Sequence, residues 1–171
     1  MREEILDAAL RLLDEGGGKG LTMRSLAARL DVTPMSLYHH VADRAGLLLA
    51  LAERVYGEVL GAIAVPTNPC VEIQELLTRY HDAVGRHPQL TLEIFADPKA
   101  FAGAVQLITA RLTSLLAMLT AEPVLWRDIL IDHAHGSGLA IISAQANPQR
   151  AVLLREQYRH ALTCLLARLG D

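Results

Sequence analysis

The sequence is poor in aromatic residues and in cysteine. Phe, Trp and Tyr together make up 4% of its 171 residues, whereas Leu and Ala are abundant, and this composition favours helices over strands. The two cysteines, Cys70 and Cys164, are far apart and lack the spacing of metal ligands, so we expect reduced thiols. No motif in the sequence predicts a bound metal or a cofactor.

Long apolar runs and alternating strand patterns are also missing. The longest stretches without a charged residue, such as residues 136–149, fall short of the roughly 20 apolar residues that a membrane-spanning helix needs. The acidic start, Met1–Glu4, lacks the apolar run of a signal peptide. Because 51% of the residues are hydrophobic and 20% are charged, we expect a folded, cytoplasmic protein that makes no contact with a membrane.

The charge of the chain is unevenly distributed. The formal net charge is -3, which argues weakly against a general nucleic-acid binder. Between positions 19 and 44, however, the net charge is +2, which leaves -5 for the rest of the chain; the charged residues of this segment are Lys19, Arg24, Arg29, Asp31, Asp43 and Arg44. A locally positive segment on an acidic body suits a focused contact with DNA.

Two short helices in residues 22–40 are predicted to form a helix-turn-helix. The first is capped by Thr22 and ends near Leu30, and Asp31–Val32 form a very short connection. Thr33 caps the second helix, whose first position is held by Pro34, where a missing N–H costs nothing. A turn this tight forces the helices to cross steeply, so that the second projects outward and can enter a major groove.

Helical periodicity continues on both sides of this motif. A first helix is predicted from Arg2 to Glu15, where three consecutive glycines, residues 16–18, stop it. Asp43 caps a fourth helix that runs to about Leu60, and a long apolar helix is predicted over 99–120. The pattern therefore predicts an all-α protein.

The stretch LTMRSLAARLDVTPMSLYHHVADR, residues 21–44, resembles the DNA-binding signature of the TetR family of bacterial transcription regulators. The resemblance is strongest over Leu37–Val41 and covers about residues 5–55. It implies a three-helix DNA-binding domain over residues 1–45, followed by a helical-bundle domain for effector binding and dimerisation over residues 46–171. It also implies a homodimeric repressor that binds a palindromic operator in double-stranded DNA and is released by a small-molecule effector.

The resemblance also implies which residues contact DNA. Arg24 would contact the backbone or a base edge, and Tyr38, His40 and Arg44 would hold phosphates. The positions that would face the major groove are Thr33, Pro34, Met35, Ser36 and His39. Asp31 stands where glycine is usual in the turn, and Asp accepts left-handed backbone geometry better than most residues, so we expect the turn to form. Tyr38 has an alternative interpretation as a core aromatic residue.

Two further sets of residues follow from the family architecture. The candidates for an effector pocket are Tyr80, Phe95, Phe101, Ile108, Met118, Trp126, Ile129 and His133. The candidates for a dimer interface are Gly136, Ala140, Ala144, Leu154, Tyr158, Leu162 and Leu165. For both sets, ordinary packing within the chain is the competing interpretation, and His133 can be read as a pocket residue, an interface residue or a core histidine.

Two other classes of protein remain as alternatives. The chain could be a helical ligand-binding protein or enzyme that shares a three-helix start but has no DNA-binding function, or a helical dimer that acts through protein partners. The absence of a nucleophile, metal or phosphate-loop motif counts against the enzyme. The neighbouring pair His39–His40 does not suggest a metal site, because adjacent side chains on a helix point about 100° apart.

Overall fold

The computed structural model describes residues 1–61, 68–97, 99–144 and 147–169. Throughout these ranges the regular structure is helical, which confirms the predicted all-α class. The α-helices in chain order are α1 (Arg2–Gly20), α2 (Met23–Arg29), α3 (Pro34–Tyr38), α4 (Arg44–Gly61), α5 (Pro69–Arg86), α6 (Pro88–Ala96), α7 (Ala104–Leu116), α8 (Pro123–Ala140) and α9 (Pro148–Leu166). A short 3₁₀ helix, Ile141–Ala144, follows α8.

The helix-turn-helix forms as predicted, because its caps and its turn have the expected chemistry. The Thr22 hydroxyl accepts a hydrogen bond from the backbone N–H of Ser25 at 3.0 Å, and Ser25 Oγ accepts one from the N–H of Thr22 at 2.9 Å. At the start of α3, Thr33 Oγ1 accepts from the N–H of Ser36. Asp31 adopts the left-handed φ of 54° that the turn requires.

A glycine explains two of the predicted helix boundaries that are wrong. The first helix does not stop at Glu15: α1 breaks at Gly17, whose φ is 62°, and then makes a further turn to Gly20. The helix predicted over 99–120 begins instead at Ala104, because Gly103 takes a φ of 58° just before it. Apolar periodicity does not detect a glycine that leaves the helical conformation.

Helices α5 and α8 pack closely in the C-terminal part because each contributes a glycine at the contact. A Cβ atom on Gly138 would lie 2.6 Å from Val84 Cγ1, and one on Gly85 would lie 2.7 Å from Ile141 Cδ1. Only a residue without a side chain permits this approach. Both α4 and α7 also contact α5, and the buried apolar side chains form a continuous core from Ile5 to Leu169.

In the parts of the chain that the structure describes, none of the helices has the length and hydropathy that crossing a bilayer requires.

We expect Gly138→Ala to destabilise the fold. The added methyl group meets Val84 at a distance that real Cβ atoms do not reach, so α5 and α8 must shift apart. Overpacking of this kind costs about 1–3 kcal/mol, which outweighs the roughly 1 kcal/mol that alanine gains over glycine within a helix. Urea unfolding of both proteins measures the difference.

Gly57→Ala is the matched control, because Gly57 also lies within a helix and no atom lies within 4 Å of its added Cβ. This variant should be more stable than the parent by about 0.5–1 kcal/mol. If both alanine variants stabilised the protein equally, the close packing of α5 against α8 would be contradicted.

Candidate functional site

Helix α3 presents a row of accessible side chains on the surface of the N-terminal domain. Leu37 is buried and anchors the helix, whereas Tyr38 is 45% exposed and Met35 is 69% exposed. The other predicted DNA contacts in this region are exposed as well, namely Arg24, Thr33, Pro34, Ser36, His39 and His40. The exposure of Tyr38 excludes its interpretation as a core aromatic residue, while contact of these residues with DNA stays a prediction.

The basic residues near this surface divide into paired and unpaired groups. Arg29 forms a bidentate ion pair with Glu15, with one N–O distance of 2.6 Å. Arg44 pairs with Glu93. By contrast, Lys19 and Arg24 have no ion-pair partner within the described part of the chain. Half of the positive charge that the sequence places here is therefore already neutralised within the chain.

Arg44, at the first position of α4, connects three separate segments. Its guanidinium lies 2.5 Å from Glu93 Oε2 on α6 and donates to the backbone carbonyls of Gly18 and Leu21, at 3.2 and 3.4 Å. Gly18 makes room for this contact, because a Cβ atom there would lie 1.5 Å from Glu93 Oε1. The phosphate role of Arg44 stays a prediction, and the role of Glu93 could not be foreseen from sequence spacing.

A cavity of about 300 Å³ lies between α5, α7 and α8. Four of the eight residues predicted for an effector pocket line it, namely Tyr80, Phe95, Phe101 and Ile108. Sequence reasoning missed the remaining lining residues, which are Val105, Thr109, Arg127, Asp128, Ile131, Asp132 and His135. Those on α8 follow one another at helical spacing, but that spacing does not reveal which side of the helix meets the cavity.

The other four pocket candidates lie outside this lining. Met118 is exposed beyond the end of α7, and Ile129 is exposed on α8. Trp126 packs against the hydrophobic core. His133 stacks on Tyr158, with ring centroids 5.2 Å apart, so among its alternative interpretations the structure favours packing within the chain.

The inner wall of the cavity carries a hydrogen-bonded pair without charge. The Tyr80 hydroxyl lies 2.5 Å from Nε2 of His135, and the tautomer of the imidazole decides which atom donates. Burial lowers the pKa of His135 to about 4, so its imidazole is neutral at physiological pH. Burial also raises the pKa of Tyr80 above its ordinary value, so this pair supplies polarity but no charge.

Three of the seven dimer-interface candidates lie in the core of the chain itself. Ala144, Tyr158 and Leu162 are almost completely buried, and the Tyr158 hydroxyl donates to the carbonyl oxygen of Leu77, so this part of the predicted interface is wrong for geometric reasons. Leu154, Leu165 and Ala140 are partly buried, and Gly136 is exposed. Contact of α8 and α9 with a partner stays a prediction, and the inner face of α9 packs within the chain.

The accessible apolar surface of α8 and α9 lies elsewhere. One stripe of α8 carries Leu125, Ile129, Gly136 and Ala140, at successive spacings of four, seven and four residues. On α9 the accessible apolar residues are Val152 and Leu153, each about half exposed. We call these six residues the α8–α9 surface.

No group of three or more His, Cys, Asp or Glu side chains capable of holding a metal ion occurs in the described ranges. His39 and His40 are exposed just after α3. His133 and His135 contact different neighbours, Tyr158 and Tyr80 respectively.

Comparison with known sequences identifies the N-terminal part. Residues 5–51 match the model of the bacterial regulatory proteins, tetR family. Tetracycline repressor protein class D of Escherichia coli is 48% identical over 54 residues, which cover 32% of this chain and 25% of that protein. The transcriptional repressor AcnR of Corynebacterium diphtheriae is 29% identical over 100 residues, which cover 57% of this chain and 52% of that protein. The chain thus spans about a quarter to a half of the length of these relatives.

Comparison with solved structures extends over the whole chain. BioQ of Mycobacterium smegmatis superposes with a TM-score of 0.79 at 24% identity and covers 99% of this chain, with 98% of BioQ covered. A structure of BioQ with its double-stranded DNA operator gives a TM-score of 0.74, also at 24% identity, covering 100% of this chain and 98% of that one. At this identity the likeness shows the fold, an N-terminal helix-turn-helix followed by a helical domain.

A double-mutant cycle should show that Arg44 and Glu93 stabilise each other. We expect a coupling of about 1 kcal/mol between Arg44→Ala and Glu93→Ala in urea unfolding, since Glu93 is 20% exposed and partial exposure of Arg44 weakens the pair. The cycle on Arg29 and Glu15, which are more exposed, should give a smaller coupling. Equal couplings in the two cycles would contradict a special role for Arg44.

The pH dependence of stability should report the buried imidazole of His135. Its pKa is about 4 in the folded chain against an ordinary value of 6.5, so the unfolded chain binds the proton first as the pH falls. The stabilising effect is present above pH 6.5 and is lost on acidification towards pH 4. One proton contributes at most about 1.4 kcal/mol per pH unit, and partial exposure reduces this value.

His135→Gln removes this contribution, so its free energy of unfolding should depend less steeply on pH across that interval. Urea unfolding of both proteins at several pH values measures the two slopes. Burial lowers the pKa of His87 and His133 too, so part of the slope remains in the variant. Identical slopes would show that His135 is not kept neutral by the fold.

Proposed function

We propose that the chain, whose residues 5–51 match the model of the bacterial regulatory proteins, tetR family, is a transcriptional repressor that binds a palindromic DNA operator as a homodimer and is released by a small-molecule effector. The named relatives are repressors, and their similarity is confined to part of their length. The proposal therefore depends on the surfaces of this chain itself.

The observation that carries the proposal is the exposed face of α3. A helix held by the buried Leu37 presents hydroxyl groups, an imidazole and apolar atoms to solvent, with unpaired Arg24 on the neighbouring helix. Hydroxyl and arginine donors suit phosphates and base edges, and the apolar atoms of Pro34 and Met35 suit a thymine methyl group.

The α8–α9 surface supports the homodimer. It combines half-exposed leucine and valine side chains with Gly136, around whose Cβ position no atom lies within 4 Å. Small residues on one helix allow another helix to approach closely, and covering the apolar side chains removes them from water. A two-fold dimer also matches the symmetry of a palindromic operator.

The cavity supports release by an effector. We take the DNA-binding unit as residues 1–45 and the sensing and dimerisation unit as residues 46–171. Helix α6 carries Phe95 at the cavity and, two residues earlier, Glu93 at Arg44. A ligand that displaces Phe95 therefore acts on the helix that holds the start of α4. The effector must bind the DNA-free state more tightly than the DNA-bound state, since equal binding would shift nothing.

Selection of bound sequences from a random pool of double-stranded DNA, at physiological salt, tests the proposal. We expect enrichment of a palindrome whose half-sites lie about 34–36 Å apart. On that operator, Tyr38→Ala should lower the affinity at least roughly tenfold, because it removes an exposed hydroxyl from the proposed phosphate contacts. Fluorescence anisotropy over a range of salt concentrations measures the loss.

Met118→Ala is the matched control, since it also truncates an exposed side chain but lies beyond α7, away from α3. It should bind the operator like the parent, and both variants should keep the parent's circular dichroism. If a folded, dimeric protein enriched no sequence, the repressor would be ruled out in favour of a helical ligand-binding protein or a dimer that acts through protein partners.

A further inference from the structure

The charges around the cavity restrict the kind of molecule that it can hold. Arg127 and Asp128 neutralise each other, with Nε and a terminal nitrogen of the guanidinium 2.8 and 2.7 Å from Asp128 Oδ1. The remaining charged lining residue is Asp132, which has no ion-pair partner among the residues described. With His135 and Tyr80 neutral, the lining carries one uncompensated negative charge.

Apart from Thr109, whose hydroxyl donates to the carbonyl oxygen of Val105, the rest of the lining is apolar and includes two aromatic rings. Phe95 and Phe101 stand on one side, about half exposed, and Ile108 and Ile131 line the cavity with them. A volume of about 300 Å³ is at the lower end of the range of small-molecule sites, roughly 300–1,000 Å³. The space suits a small apolar body rather than an extended fused-ring ligand.

We propose that the cavity binds a small organic amine, with an aromatic or branched apolar body between Phe95, Phe101 and Ile108 and a protonated nitrogen at Asp132. An ammonium group is attracted by the carboxylate and by the faces of aromatic rings, while a carboxylate ligand would face Asp132 with Arg127 already engaged. This inference rests on the proposed function for its role as the effector, whereas the binding of amines stands on the cavity alone.

Asp132 occupies a position at which one charge can decide between ligands. On α8 it lies between the cavity residues Asp128 and His135 on one side and the exposed stripe of Ile129 and Gly136 on the other. Its side chain is exposed, so the carboxylate lies at the rim beside the half-exposed rings of Phe95 and Phe101. An amine can bury its body and keep its charged end at the entrance.

Calorimetric titration of the DNA-free protein with three probes of one shape tests the proposal: 2-phenylethylamine, 2-phenylethanol and 3-phenylpropanoate. We expect the amine to bind between about three- and tenfold more tightly than the alcohol, and the acid most weakly. Higher salt should reduce the preference for the amine, because its source is a partly exposed charge. Equal binding of amine and alcohol, tighter binding of the acid, or no binding of any probe would overturn the proposal.

Asp132→Asn is the decisive variant because it keeps the size of the side chain and removes the charge. It should bind the amine and the alcohol equally, with the affinity for the alcohol unchanged. Asp7→Asn removes the same charge from α1, away from the cavity, and should keep the preference of the parent. Sedimentation of each variant verifies that its dimer content is that of the parent, since Asp132 borders the α8–α9 surface. A preference for the amine that survived in Asp132→Asn would overturn the assignment.

Failure of this proposal is distinguishable from failure of the repressor. A protein that prefers amines through Asp132 but selects no DNA keeps the binding site and loses the regulatory role. A protein that selects a palindrome but shows no preference for amines remains a repressor with an effector of another class.

Discussion

The contact between Arg44 and Glu93 links the N-terminal helices of the molecule to α6. It joins the first residue of α4 to α6, and the same guanidinium holds the carbonyl groups of Gly18 and Leu21. Those carbonyls lie in the segment that leads from α1 into α2. Through Arg44, this segment at the start of the helix-turn-helix is therefore linked to α6. Gly18 has to lack a side chain for Glu93 to reach this place. One ion pair and two backbone hydrogen bonds thus add a polar link to the packing of α1 and α4 against α6.

The helices and the turn of the N-terminal third could be predicted from the sequence because they depend on local interactions. Thr22, Thr33 and Asp43 cap the helices predicted for them, and Asp31 takes the left-handed turn position. Each of these features depends on residues within a few positions of one another, so spacing in the sequence is nearly spacing in the structure. The exposure of the α3 face agrees with the residues that the resemblance to the TetR family assigned to DNA contact, and that contact stays a prediction.

The residues of the cavity and of the α8–α9 surface could not be predicted in the same way. Both sets depend on which side of a helix packs against helices that are distant in the sequence. The apolar residues of α9 follow helical spacing equally well whether Tyr158 faces the core or a partner, and its buried hydroxyl on Leu77 decides for the core. Half of the predicted pocket residues line the cavity, since Phe95 and Tyr80 lie on the helices that surround it. The sequence analysis missed His135 and Asp132, because local spacing does not show whether these residues or the neighbouring His133 face the cavity.

The strength of the Arg44 contact is consistent with a change of state driven by a small ligand. Couplings between an effector site and a second site are typically about 1–3 kcal/mol, and a partly exposed ion pair contributes about 1 kcal/mol or less. A deeply buried apolar contact at the same place would cost more to break than a ligand filling 300 Å³ supplies with its few contacts. The polar link between α4 and α6 therefore adds to the packing that orients the helix-turn-helix. Under the proposed mechanism it is also weak enough for a ligand that displaces Phe95, two residues along α6, to break it.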